Sequence, residues 1–159
     1  MPVKLAEAAA EFLSCKRIAV TGVSRHPQGH GSNAVFERLL ERGYEAFPIN
    51  PEATEIAGHP AYATLADVPG GVEAVVIGTR PAHALGTVKE AVDLGITKVW
   101  MHRSVDAGSV SPEAVDYGRE HGLLVIDGGC PLMFDPAADG AHKFMCAVLK
   151  LTGKVPREV

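Results

Sequence analysis

The sequence predicts an α/β protein built on a mostly parallel, doubly wound five-stranded sheet with helices on both faces. Three observations carry that expectation. Short apolar, β-branched runs alternate with segments of helical periodicity along the chain, as when parallel strands are joined by right-handed helical crossovers. The first of these runs, Ile18-Ala19-Val20-Thr21, stops at Gly22 and opens into a polar, glycine-containing stretch before an apolar-periodic segment. Strand, loop and helix thus follow one another in the arrangement on which nucleotides rest their phosphates. At 159 residues, 47% hydrophobic and 21% charged, the chain can enclose a sizeable core and is too apolar to be disordered. Together these predict a doubly wound layout, expected as one domain over residues 1–159.

Taken in order, Lys4 to Leu13 sets Leu5, Ala8, Ala9, Phe12 and Leu13 on one helical face. Arg17 to Thr21 is strand one, apolar enough to be buried on both sides. Ser32 is placed to cap the next helix, whose core face is Val35, Phe36, Leu39 and Leu40 and whose stop is Gly43. Tyr44 to Ile49 is strand two, with pairing expected to lapse at Pro48, which has no N–H to donate. Residues 53–71 read as a wandering connection with one short helix near Leu65. Glu73 to Gly78 is strand three. Pro81 opens a helix to Leu94, with Leu85, Val88 and Val92 expected inward and Gly95 closing it. Ile96 to Trp100 is strand four. Ser111-Pro112-Glu113 supplies cap, first-turn proline and first-turn acid in sequence, and that helix ends at Gly122. Leu123 to Ile126 is strand five, broken by Gly128-Gly129-Cys130-Pro131. Phe144, Met145, Val148 and Leu151 indicate a last helix before a polar tail. The expected strand order is 3-2-1-4-5, with the ligand crevice at the carboxyl ends of the strands flanking the switch point and the strand at Glu73 to Gly78 taken as the next across it or close to it.

A net charge of −4 without a Lys/Arg cluster disfavours duplex nucleic acid as a partner. No apolar run reaches the roughly 18 residues a membrane span needs. Glu7 and Glu11 interrupt the N-terminal apolar stretch, unlike a signal peptide. Cys15, Cys130 and Cys146 form neither a disulfide framework nor a metal-ligand spacing, which suggests a reducing, cytoplasmic setting. A protein partner or a homo-oligomer stays open.

Three strand-end turns should converge on the crevice: Thr21 to Ser24, Asn50-Pro51, and Gly78-Thr79-Arg80-Pro81. The first offers backbone N–H groups and the Thr21 and Ser24 hydroxyls to phosphate oxygens, and Arg80 offers a guanidinium fork. A nicotinamide dinucleotide site usually has an acid at the end of strand two, for the ribose hydroxyls. Here the first acid is Glu52, after the turn. His26 and His30 are four apart, but in a loop, so they share no helical face and no ligand set is completed. His102 and Arg103 border the crevice or are simply solvated. Trp100 ends a strand that should border it too. Asp127 reads as a turn cap or as the partner of a histidine, and Cys130 as a small buried residue in a tight turn or as a thiol near the ligand, open to a mixed disulfide. No spacing identifies a nucleophile.

The ordered segments Ile18-Ala19-Val20-Thr21-Gly22-Val23-Ser24, Leu39 to Pro51, Thr64-Leu65-Ala66-Asp67-Val68-Pro69, Arg80-Pro81, Val99-Trp100 and Cys130-Pro131 resemble the small stand-alone CoA-binding proteins. Those are similar in fold to the CoA-binding domain of the succinyl-CoA synthetase alpha subunit. The resemblance covers about residues 12–135 and leaves a C-terminal helix and tail, 136–159, outside it. It implies a Rossmann-like fold that binds coenzyme A without catalysis, with phosphates at Thr21, Gly22, Val23 and Ser24. The nucleotide would lie beside Asn50 and Pro51, with further contacts at Gly78, Thr79 and Arg80. Two departures stand out: Glu52, where the synthetase domain has a basic residue, and Met101-His102-Arg103 after strand four. The competing reading from the residues alone is an enzyme or redox sensor that uses a nicotinamide dinucleotide.

Overall fold

The computed structural model describes residues 3–26, 31–103, 108–153 and 155–159. Five parallel strands form the sheet: β1 (Arg17–Thr21), β2 (Glu45–Ile49), β5 (Ala74–Ile77), β6 (Lys98–Met101) and β7 (Leu124–Asp127), in the order β2-β1-β5-β6-β7. Two short strands, β3 (Glu55–Ile56) and β4 (His59–Pro60), pair separately as an antiparallel hairpin. The helices are α1 (Leu5–Leu13), α2 (Gly31–Glu41), α3 (Pro81–Asp93), α4 (Pro112–Glu120) and α5 (Gly140–Thr152). None among the described residues is long and apolar enough to cross a membrane.

Side chains alternate across each strand, and the two faces feed separate cores. Ile18, Val20, Val76, Trp100 and Ile126 face a layer made by α1, α2 and α5. Ala19, Val75, Ile77, Val99 and Val125 face α3 and α4. Helices therefore cover both sides of a sheet whose middle strand, β5, is buried along its whole length.

The strand order corrects the expected 3-2-1-4-5, while the strand at Ala74–Ile77 does lie across the switch point beside β1, as expected. The third of the five sheet strands inserts directly beside the first, giving 2-1-3-4-5. The reason is legible in residue types. Ala74–Ile77 has no polar side chain and belongs at the centre, whereas β2 opens with exposed Glu45 and contains Pro48, both marks of an edge. Nor does pairing lapse at Pro48: β2 stays in register with β1 through Thr21↔Ile49. The Pro48 carbonyl accepts from Tyr62 N–H at 3.0 Å, so its missing donor lies on the outer side, where β1 loses nothing.

Other expectations shift locally. Ser32 is not a cap; it lies inside α2, 6% exposed. The connection after β2 contains the β3–β4 hairpin as well as the short helical turn expected near Leu65, a 3-10 turn at Leu65–Asp67 closed by Thr64 and Asp67. On α3 the buried line is Ala84, Val88 and Ala91, with Leu85 and Val92 half-buried, because small residues let that helix approach the sheet closely. Ser111 caps α4 as expected, accepting from Ala114 N–H at 3.3 Å. On α5, Cys146 and Leu149 are buried while Phe144 and Leu151 are 73% and 80% exposed, so the apolar residues that announce this helix point mainly outward.

Candidate functional site

In this order β1 sits at the switch point. The chain leaves β1 into α2 on one face, and leaves β5 into α3 on the other. The two loops diverge and open a crevice at the carboxyl ends of the strands. There a cleft of ≈ 610 Å³ is lined by Thr21, Gly22, Val23 and Ser24 from the first loop and by Ile49, Asn50, Pro51 and Glu52 from the end of β2. Thr79 lines it after β5. The remaining wall is Ala63-Thr64-Leu65 and one face of α3, His83, Gly86, Thr87 and Glu90.

The start of the loop after β1, Gly22 to Ser24, is tied down before any ligand arrives. Gly22 has φ +76, a left-handed conformation costly for any residue with a side chain, and a Cβ there would strike the Gly78 carbonyl. Gly78 in turn packs so closely on Ser32 that it has no room for a Cβ. Gly78 N–H donates to Thr21 Oγ1 at 3.1 Å and fastens the two strand-end loops together. The Val23 side chain is 1% exposed in the core, so Val23 presents backbone to the cleft. Asn33, 5% exposed on α2, clamps Ser24 from both sides. Its Oδ1 accepts from Ser24 N–H at 2.9 Å and its Nδ2 donates to the Ser24 carbonyl at 2.8 Å. The Ser24 hydroxyl accepts from His26 N–H at 3.0 Å.

Asn50 is the brace between loop and second wall. Its Nδ2 donates to the Val23 carbonyl at 3.0 Å and its Oδ1 accepts from Glu52 N–H at 2.8 Å. The third wall is held by Glu90, whose Oε1 accepts from Leu65 N–H at 2.8 Å. One cleft group is left over: Thr79 Oγ1 is buried and has no hydrogen-bond partner. A hydroxyl so placed is normally paired.

The residues read from sequence thus divide. Thr21, Gly22, Val23, Ser24, Asn50, Pro51 and Thr79 line the cleft together. Gly78 underlies it through the contact with Gly22. Arg80 is the exposed residue preceding α3 and is not among the lining residues. The polar face of α3 and the Ala63–Leu65 wall were not anticipated, although His83, Thr87 and Glu90 recur at i, i+4 and i+7, a spacing that could have marked them.

The neighbouring candidates lie elsewhere. Trp100 is fully buried in the α1/α5 layer, against Phe12 at 5.3 Å between ring centroids, with Nε1 donating to the Gly128 carbonyl at 2.9 Å. It therefore does not border the cleft. Half-buried His102 packs its ring over Gly31, and Arg103 bridges to Gly129. Asp127 accepts from Arg119 at 3.2 Å instead of capping a turn. Cys130 is 3% exposed, and burial pushes its thiol up to about 12, which suits a packing residue and not a nucleophile. His30 lies outside the described residues, and among those described no three potential ligands cluster to hold a metal.

A 2-1-3-4-5 parallel sheet with its cleft at the switch point and a glycine turn after β1 defines a Rossmann-like α/β domain. Within that class the chain belongs to the CoA-binding domain family, whose model, described as "CoA binding domain", matches residues 16–136. It is similar to the uncharacterized protein YneT of Bacillus subtilis, 31% identical over 70% of this chain and 78% of that one. A solved structure of a hypothetical protein from Pyrococcus horikoshii superposes with a TM-score of 0.73, 30% identity and coverage of 80% and 87%. The acetate–CoA ligase [ADP-forming] II subunit alpha of Pyrococcus furiosus is 26% identical over 75% of this chain, but this chain spans only 27% of that subunit.

Proposed function

We propose that the chain, acting as one domain, binds coenzyme A or an acyl-CoA in the switch-point cleft, with the diphosphate at the Thr21–Ser24 loop. No catalytic step is assigned to any cleft residue. The observation that carries this reading is the pre-tied loop itself. Gly22 and Gly78 remove every side chain where two backbones meet, and Asn33, Asn50 and Thr21 fix the loop with hydrogen bonds in advance. Backbone held at a strand–helix turn suits a polyanion, because less ordering is left to oppose binding. Thr79, whose buried hydroxyl has no partner, borders the same cleft. Family membership supports CoA over other nucleotides.

A second reading, a nicotinamide dinucleotide, is kept by one observation: Glu52 lines the cleft just past β2, where such sites hold the ribose. A thermal-shift panel of CoA, acetyl-CoA, NAD and NADP separates the two, since a ligand of the native state raises the midpoint with its concentration over Kd. CoA and acetyl-CoA are expected to raise it most. A larger rise with NAD at equal concentration would overturn the CoA reading.

A further inference from the structure

The charge of the cleft bears on which adenosine ligand it takes. Its lining residues include two carboxylates, Glu52 and Glu90, and, among the described residues, no lysine or arginine. Glu90 is engaged with Leu65 N–H. Glu52 is exposed at the mouth, and its backbone is held at a fixed distance from the phosphate loop by a single side chain, because Asn50 bonds both Glu52 N–H and the Val23 carbonyl. In Rossmann dinucleotide sites the adenosine ribose lies past the end of the second strand, where a carboxylate accepts from the ribose 2′-hydroxyl or a nearby arginine receives a 2′-phosphate.

From this arrangement we infer that the adenosine end of the cleft selects an ADP group whose ribose hydroxyls are both free, and that Glu52 is the residue that discriminates. The inference rests on the reading of the cleft as a CoA-type site. Coenzyme A carries a 3′-phosphate on that ribose. Set beside Glu52, it brings like charges together with no lysine or arginine among the described lining residues to offset them, and such juxtaposition weakens binding strongly. Dephospho-CoA has the same diphosphate and pantetheine arm with a free diol, so the carboxylate accepts from both hydroxyls. NAD presents the same free diol at its adenosine end, which makes it the other source of this chemistry.

Titration calorimetry of the full chain with CoA, dephospho-CoA and NAD at low salt tests the inference, repeated on Glu52→Gln and Glu52→Lys. Glu52 is an exposed turn residue, so both variants are expected to fold. Dephospho-CoA is expected to bind at least about tenfold tighter than CoA, the gap narrowing in Glu52→Gln and reversing in Glu52→Lys. Added salt should shrink the gap in the wild type, because a partly exposed like-charge contact is screened. CoA binding as tightly as dephospho-CoA to the wild type would overturn the inference and leave the CoA reading standing. NAD binding tightest, with CoA weakest, would uphold the selection of a free diol and overturn the CoA reading. Binding of none of the three would overturn both.

Discussion

The contact between Gly22 and Gly78 can be weighed with a matched pair of substitutions. Gly22 and Gly95 share φ +76, but a Cβ at Gly95 meets nothing within 4 Å, whereas one at Gly22 meets the Gly78 carbonyl and the Thr79 nitrogen. Gly95→Ala therefore carries backbone strain alone, about 1–2 kcal/mol. Gly22→Ala carries the same strain plus overpacking against backbone that cannot turn aside, a further ~1–3 kcal/mol. Against a domain stability on the order of 5–15 kcal/mol, both variants should still fold. Urea unfolding followed through Trp100 reads both, since that indole is fully buried and is the only tryptophan. The expected result is a lower midpoint for Gly22→Ala than for Gly95→Ala at similar m-values. Equal losses would mean that the two loops do not touch as described and would remove the basis for a pre-tied phosphate loop.

Asn50→Ala removes both hydrogen bonds of the brace and should cost about 1–2 kcal/mol in unfolding experiments, with weaker CoA binding by calorimetry. Thr79→Val deletes a buried hydroxyl that has no partner, so stability is expected to hold or rise by up to ~1 kcal/mol while CoA affinity falls; a fall in both would make Thr79 a structural residue only. Asp139 caps α5, and its carboxyl is held well below the usual aspartate range, first by His142 N–H at 2.8 Å, then by the His142 side chain and Arg38. A depressed pKa contributes stability that is present above the unfolded value, about 3.9, and is lost as pH falls through the folded one. Asp139→Asn should thus flatten the decline in stability with acid below about pH 4, read by denaturation at stepped pH; unchanged slopes would contradict this.

How far the sequence revealed the site depended on whether a feature was local. The turn at Thr21–Ser24 was legible because a strand stop, a glycine and a helix start are written consecutively. Ser111-Pro112-Glu113 was legible for the same reason. Strand order was not read correctly, although Pro48 and Glu45 already marked β2 as an edge; weighing them against the uniformly apolar Ala74–Ile77 places the third strand beside the first. The inner face of α3 was misjudged because large residues were favoured over Ala84 and Ala91, where close helix–sheet approach selects alanine. Which layer Trp100 enters, and that Phe144 and Leu151 face outward, depend on contacts between distant segments that no local pattern encodes.

The central claim, that a CoA-type ligand rests its diphosphate on the loop after β1, is tested most directly by an amide ¹⁵N–¹H titration of the protein with CoA and dephospho-CoA. The largest shifts are expected at Gly22, Val23, Ser24 and Thr79, with smaller ones at Glu52 and Thr87 along the cleft wall. Shifts centred instead on the separate groove formed by Leu123, Leu124, Val125 and Val159, with the loop amides unmoved, would contradict it.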